Sequence, residues 1–255
     1  MCISLWDREK VSNLQKSLTP FPELNSVEKK VSASSAQSLM DFVRPTYHYS
    51  AKVSEDFPWI PSYLGTSWSG KIIKTNAFSK EKLKETLFLD KKPDDKHAYI
   101  QILGRENGHR TYKFIDIAYI SSKDWTDLER WKVFVPEGNG SGAIGEVLST
   151  PLIGQPLIGH TQTFISIGSF DTESQAEACL KYVKSKFARA MLGILKVTQH
   201  NPKDTWRYVP WQDFTPSSDI DWSRSIPDID QQLYKKYGLS SEEIAFIESN
   251  VKEME

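Results

Sequence analysis

The chain has 255 residues, enough for one large domain or two small ones at roughly 100 to 200 residues each. Hydrophobic residues make up 39%, charged residues 25%, and Gly and Pro number 13 each, which excludes collagenous, fibrous and disordered classes. Lys and Arg total 32 against 33 Asp and Glu, a net charge of −1, so the molecule has no global field for a polyanion and any nucleic-acid surface must be a local patch. Cys2 and Cys179 lie far apart and supply neither a disulfide framework nor a Cys-based zinc site. No signal-peptide pattern and no run of about 18 apolar residues occurs, so a cytoplasmic protein without a membrane partner is expected.

The Ser-rich segment Ser26 to Ser38 leads into Leu39, Met40, Phe42 and Val43, a short helix that Arg44-Pro45 should stop. Phe57 to Trp68, FPWIPSYLGTSW, reads as an irregular loop whose aromatics pack inward or form a binding face. Residues 98–120 give the clearest β signal. Two β-rich runs flank Glu106-Asn107-Gly108-His109, and Asn-Gly is the preferred pair for a type I′ turn. The tip carries Arg105, His109 and Arg110, with Thr111 and Lys113 on the return strand. Such a ribbon has the width of a DNA groove, and Arg and Asn can make bidentate contacts to base edges. The competing reading is a tip that is polar because it is wet.

Residues 136–168 hold Gly138, Gly140, Gly142 and Gly145 but no Gly-Lys-Ser/Thr, and Pro151 and Pro156 exclude a following helix. A phosphate loop is therefore not expected, and no cofactor with it. A flexible loop before a strand at Thr163 to Gly168 is. Asp171 or Thr172 then opens a long amphipathic helix, with capping-box spacing from Thr172 to Gln175 and Ala176, Leu180, Val183, Phe187, Met191 and Ile194 on one face. Lys181, Lys186, Arg189 and Lys196 fall on the opposite arc as a positive stripe. That stripe is either a solvated face or a set of phosphate contacts. After Pro210 the balance turns acidic. Two helices follow, one from about Ser225 to Tyr237 closed by Gly238, the other opened by Ser240 with Glu243. The whole reads as an α+β fold over residues 1–215, a mixed sheet with a hairpin and the long helix, followed by a helical-pair tail over 216–255.

No catalytic constellation stands out. The five histidines share no ligand spacing, and both cysteines lack a nucleophile motif. A magnesium nuclease would use carboxylates with a nearby Lys, and the matches are Glu28-Lys29-Lys30, Asp90-Lys91-Lys92 and Asp94-Asp95-Lys96, a pattern that also arises by chance in a charged chain. An adenine methyltransferase grips its flipped base with Asn-Pro-Pro-aromatic. The single Asn-Pro here, Asn201-Pro202-Lys203-Asp204, lacks the second Pro and the aromatic.

The segments Thr161 to Lys196, Trp206 to Thr215 (WRYVPWQDFT) and Asp219 to Glu248 resemble the C-terminal region of bacterial restriction-modification polypeptides. In that family the region follows an adenine-specific DNA methyltransferase domain, sometimes with nuclease and helicase domains on the same chain. Cys2 to Glu9, with Leu-Trp-Asp-Arg-Glu, is similar to the end of that methyltransferase core. The likeness extends over the last third, moderately over the hairpin Ile102 to Phe114, and poorly over residues 11–90.

The resemblance implies the target-recognition part of a restriction enzyme of type I or type II, which binds double-stranded DNA while methyltransferase or nuclease partners carry the chemistry. Residue type then suggests phosphate contacts from Lys181, Lys186, Arg189 and Lys196, and base-edge contacts from Arg105, Asn107, His109 or Arg110, with Lys113 close by. The acidic tail would pack on the methyltransferase or on a second subunit. Two alternatives stay open: a nuclease centred on Asp90, Asp94 and Lys96, and an assembly module whose basic stripe meets an acidic partner.

Overall fold

The structure is a computed structural model that describes residues 19, 21–138, 140 and 143–254. The segment Cys2 to Glu9 lies outside the described residues. The first helix, α1 (Pro22–Ser34), begins with a proline where a missing N–H has no helical partner to lose, and buries Leu24, Val27 and Val31 along one stripe. Ser38 and Asp41 form a capping box around a 3-10 turn at Leu39–Phe42. The chain then extends into β1 (Val43–Arg44), so the short helix expected here is a single tight turn, stopped before Pro45.

Residues 47–128 enclose a hydrophobic core of their own. It contains α2 (Lys52–Asp56), α3 (Ile60–Leu64), α4 (Glu81–Thr86), the hairpin strands β2 (Tyr99–Glu106) and β3 (His109–Asp116), and α5 (Trp125–Leu128). The aromatic segment Phe57 to Trp68 is thus partly helical. Ile60 and Leu64 point inward, while Phe57, Trp59 and Trp68 are half-buried at the margin. Arg44 ties this unit to β1 by pairing with Asp124 at 2.6 Å and with Asp127.

The chain continues through β4 (Trp131–Pro136), β5 (Leu152–Gly154), β6 (Ile158–His160) and β7 (Phe164–Phe170). The stretch expected to be a flexible loop therefore contains two three-residue strands; its residues 139, 141 and 142 lie outside the described set. Two sheets result, β1-β7-β4-β5 and β3-β2-β6. The second is mixed, because β6 runs parallel to β2 with Leu103 opposite His160 while β3 is antiparallel. Only Thr161 to Thr163 separate β6 from β7, so the chain steps directly from one sheet to the other. Leu103, Phe134 and Phe164 pack together at that junction.

The amphipathic helix opens at Thr172 with the expected capping box to Gln175. It runs as two segments, α6 (Glu173–Lys184) and α7 (Lys186–Gly193). Ser185 is extended (φ −60°, ψ 150°) and its hydroxyl accepts from the Ala188 N–H, so it ends one helix and caps the next. The tail supplies α8 (Ile226–Lys236), capped by Ser225, and α9 (Ser241–Asn250), with the Ser240/Glu243 capping box. Gly238 between them has φ 61°, the left-handed turn that closes α8. Ile229, Leu233, Tyr234, Ile247 and Val251 share one core with α1, α6, α7, β4 and β7. Among the described residues no helix is long and apolar enough to cross a membrane.

Candidate nucleic-acid interface

The hairpin has the two-residue turn that Asn-Gly dictates. Asn107 (φ 50°) and Gly108 (φ 80°) both lie in the left-handed region, and Glu106 pairs with His109. Directly opposite residues share a face of the ribbon, so the register places Arg105 beside Arg110 and Leu103 beside Tyr112. Leu103 is buried on Phe164 and Phe134. Above them the guanidiniums of Arg105 and Arg110 each lie 5.9 Å from the Phe164 ring centre. Tyr112, at 41% exposure, continues this face toward solvent.

Two like charges face each other here. Among the described residues neither guanidinium has a carboxylate partner. Arg110 donates instead to the carbonyls of Ser149 (2.9 Å) and Thr150 (2.5 Å). Partial burial, and then the charge of Arg105, hold the Arg110 guanidinium below its ordinary range. The one acidic side chain of the tip, Glu106, is engaged on the other face by Lys84 at 3.0 Å and Lys113 at 3.1 Å. Those ammonium groups, Lys84 first, hold its carboxyl below the usual range.

The residues expected to form one cationic cap are thus divided. Arg105 and Arg110 share the Phe164 face, Asn107 and His109 are exposed at the tip, and Lys113 is buried on the reverse face, paired with Asp90 and Glu106 and 5.6 Å from the Phe78 ring centre. Tyr112 and Phe164 were missed by the sequence reading. Strict alternation along β3 gives the signal for Tyr112, since it must share the side of Arg110 and leave Lys113 on the other. Phe164 is distant in sequence and nothing local points to it.

The positive stripe on α6 and α7 is not a free surface. Lys181 donates to the carbonyls of Trp222 (2.8 Å) and Arg224 (3.0 Å), and Lys186 pairs with Glu248 at 2.5 Å. Arg189, 2% exposed, donates to Lys184 O at 3.0 Å, to Glu146 O at 3.4 Å and to Lys252 O. Lys196, 5% exposed, donates to Thr198 O at 3.0 Å and faces Glu146 at 3.7 Å. Two causes explain the difference. The break at Ser185 changes the helical phase of everything after it, and the chain's own tail covers Lys181, Lys186 and Arg189 while Glu146 faces Lys196. Phosphates have no access to Arg189 and Lys196 in this arrangement.

Asp90 is engaged by Lys113, while Asp94 and Lys96 are exposed on the irregular segment before β2. Among the described residues no three His, Cys, Asp or Glu side chains gather as a metal site would require. Cys179 is a buried free thiol that burial pushes far above its ordinary pKa, the opposite of an activated nucleophile. His160 is likewise buried and pushed down to about 3, chiefly by desolvation. It stays neutral between Thr161 O at 3.0 Å and Ser166 Oγ at 3.1 Å.

No protein-family model and no curated protein matches the chain.

Proposed function

We propose that the chain is a DNA-recognition module whose hairpin end enters a groove of double-stranded DNA, with the chemistry of its restriction-modification system carried by methyltransferase or nuclease partners. One observation carries this reading. Arg105 and Arg110 are held opposite each other on an aromatic ring, with no carboxylate partner among the described residues. Like charges at directly opposed positions destabilise a hairpin, typically by a few tenths to about 1 kcal/mol, and a phosphate or the O6/N7 edge of guanine relieves that repulsion. The tight Asn107-Gly108 turn keeps the ribbon narrow at its end, and the exposed Asn107 and His109 side chains are donors and acceptors suited to base edges.

The assembly alternative loses its main support, because the basic stripe it would offer to a partner is already occupied by the chain's own tail. The test is fluorescence anisotropy of a labelled duplex with the full chain at about 50 and 200 mM salt, with and without Mg²⁺. Binding that weakens steeply with salt and leaves the duplex intact supports a recognition module. Metal-dependent cleavage turns the reading to the nuclease alternative, and no binding at the lower salt refutes it.

A further inference from the structure

The Phe57 to Trp68 segment was open to two readings, inward packing or a binding face, and the structure divides it between them. Ile60 and Leu64 fill the core. Trp59 and Tyr63, four residues apart and so on one side of α3, meet edge to face with centroids 5.5 Å apart. Phe57 extends the row, 6.1 Å from Trp59 and 5.4 Å from Tyr119. Tyr63 is 38% exposed, among the most exposed large aromatics of the described residues.

Lys82, at the start of α4, sits over both rings, 5.5 Å from the Trp59 centre and 5.6 Å from that of Tyr63. Its neighbour Lys84 is neutralised by Glu81 and Glu106. Among the described residues Lys82 has no such carboxylate. Residues 57–86 carry five lysines against two glutamates in a chain whose net charge is −1. Lys71 and Lys74 of that set are exposed on the turn closed by the Trp68–Ile73 bridge.

We propose that the Trp59–Tyr63–Lys82 face is a stacking platform for unpaired bases of a nucleic-acid strand. The chemistry is complementary on both counts: aromatic faces and lysine cations meet bases and phosphates respectively. A duplex hides its base faces except at its ends, so this surface discriminates in favour of a single strand. The hairpin end is a separate surface that reads duplex. This inference therefore stands beside the proposed function, and the two fail in different ways.

The experiment is anisotropy of labelled dT12 and of a labelled duplex, at about 50 mM salt, with the full chain and four variants. Y63A and K82E are each expected to weaken dT12 binding about tenfold, as loss of one stacked base or its cation would, and to leave duplex binding unchanged. Y63F, which keeps the ring, is expected to retain dT12 affinity. The pair R105A/R110A is expected to do the reverse, losing duplex and keeping dT12. The proposal is overturned if the wild-type chain does not bind dT12, if Y63A and K82E bind it as tightly as wild type, if Y63F loses as much as Y63A, or if a labelled proline-rich peptide binds the face in place of dT12. A wild-type chain that binds dT12 but not the duplex overturns only the function proposed for the hairpin.

Discussion

Asp230 on α8 accepts the backbone N–H of Phe187 on α7 at 2.8 Å, and its second oxygen accepts that of Lys186 at 3.0 Å. An acidic side chain from the tail thereby caps the helix that restarts after Ser185. The cap has a cost. Burial pushes the Asp230 carboxyl up to about 6 and nearby Glu248 adds to it, against the pull of the two N–H groups and Arg189. Because this pKa is raised in the folded state, the stability it confers is complete below the unfolded value of about 4 and is lost as pH rises through 6. Between pH 5 and pH 7.5 the loss is about 1 kcal/mol, or about 3 °C in melting temperature. The melting temperature of D230N is expected to lack this drop. Parallel curves for wild type and D230N across the interval would contradict it.

Arg189 carries its charge into the protein, where carbonyls of Lys184, Glu146 and Lys252 receive it. Truncation to Ala strands those acceptors and leaves a cavity, and urea unfolding is expected to show a loss of about 2 to 4 kcal/mol. Lys186 and Glu248 meet at the surface, so K186A is expected to lose less than about 1 kcal/mol. Equal losses would mean that the tail does not cover α7 as described.

The same contacts engage Lys181 and Lys186 within the chain. The double variant K181Q/K186Q is expected to bind duplex with an unchanged dependence of log K on log salt. A slope reduced by about 2, one for each phosphate contact removed, would return these lysines to the interface.

Gly104 lies where β2 passes over Phe78, and a methyl group added there would sit 2.5 Å from Phe78 Cε2. G104A is therefore expected to destabilise by about 1 to 3 kcal/mol through overpacking. The change also crowds the ring beneath Lys113. A melting temperature equal to wild type would show that Phe78 moves freely.

What the sequence makes legible here is local. The Asn107-Gly108 turn, the Thr172/Gln175 and Ser240/Glu243 capping boxes and the Gly238 terminator each depend on neighbours within a few residues, and all stand where they were read. The helical wheel fails at Ser185, because the break is completed by Asp230, 45 positions on, and no local pattern announces a cap supplied from so far away. Charge misleads for a related reason. Lys113, Arg189 and Lys196 are the residue types that usually reach solvent, and only the alternation of β3, the path of the tail over Arg189 and the approach of Glu146 to Lys196 reveal that they turn inward. At the hairpin, the tip residues were readable, whereas Phe164, which holds Arg105 and Arg110 together, arrives from another sheet.

The most direct measurement is the salt dependence of duplex binding for wild type beside R105A/R110A. Among the described residues Arg105 pairs with no carboxylate, and Arg110 gives up two carbonyl hydrogen bonds but is relieved of a facing charge, so the variant is expected to unfold within about 1 kcal/mol of wild type. Its binding is expected to weaken by an order of magnitude or more, with a slope shallower by about 2. A variant that folds as well as wild type and binds duplex with the same affinity and slope would contradict the hairpin as the DNA-reading element.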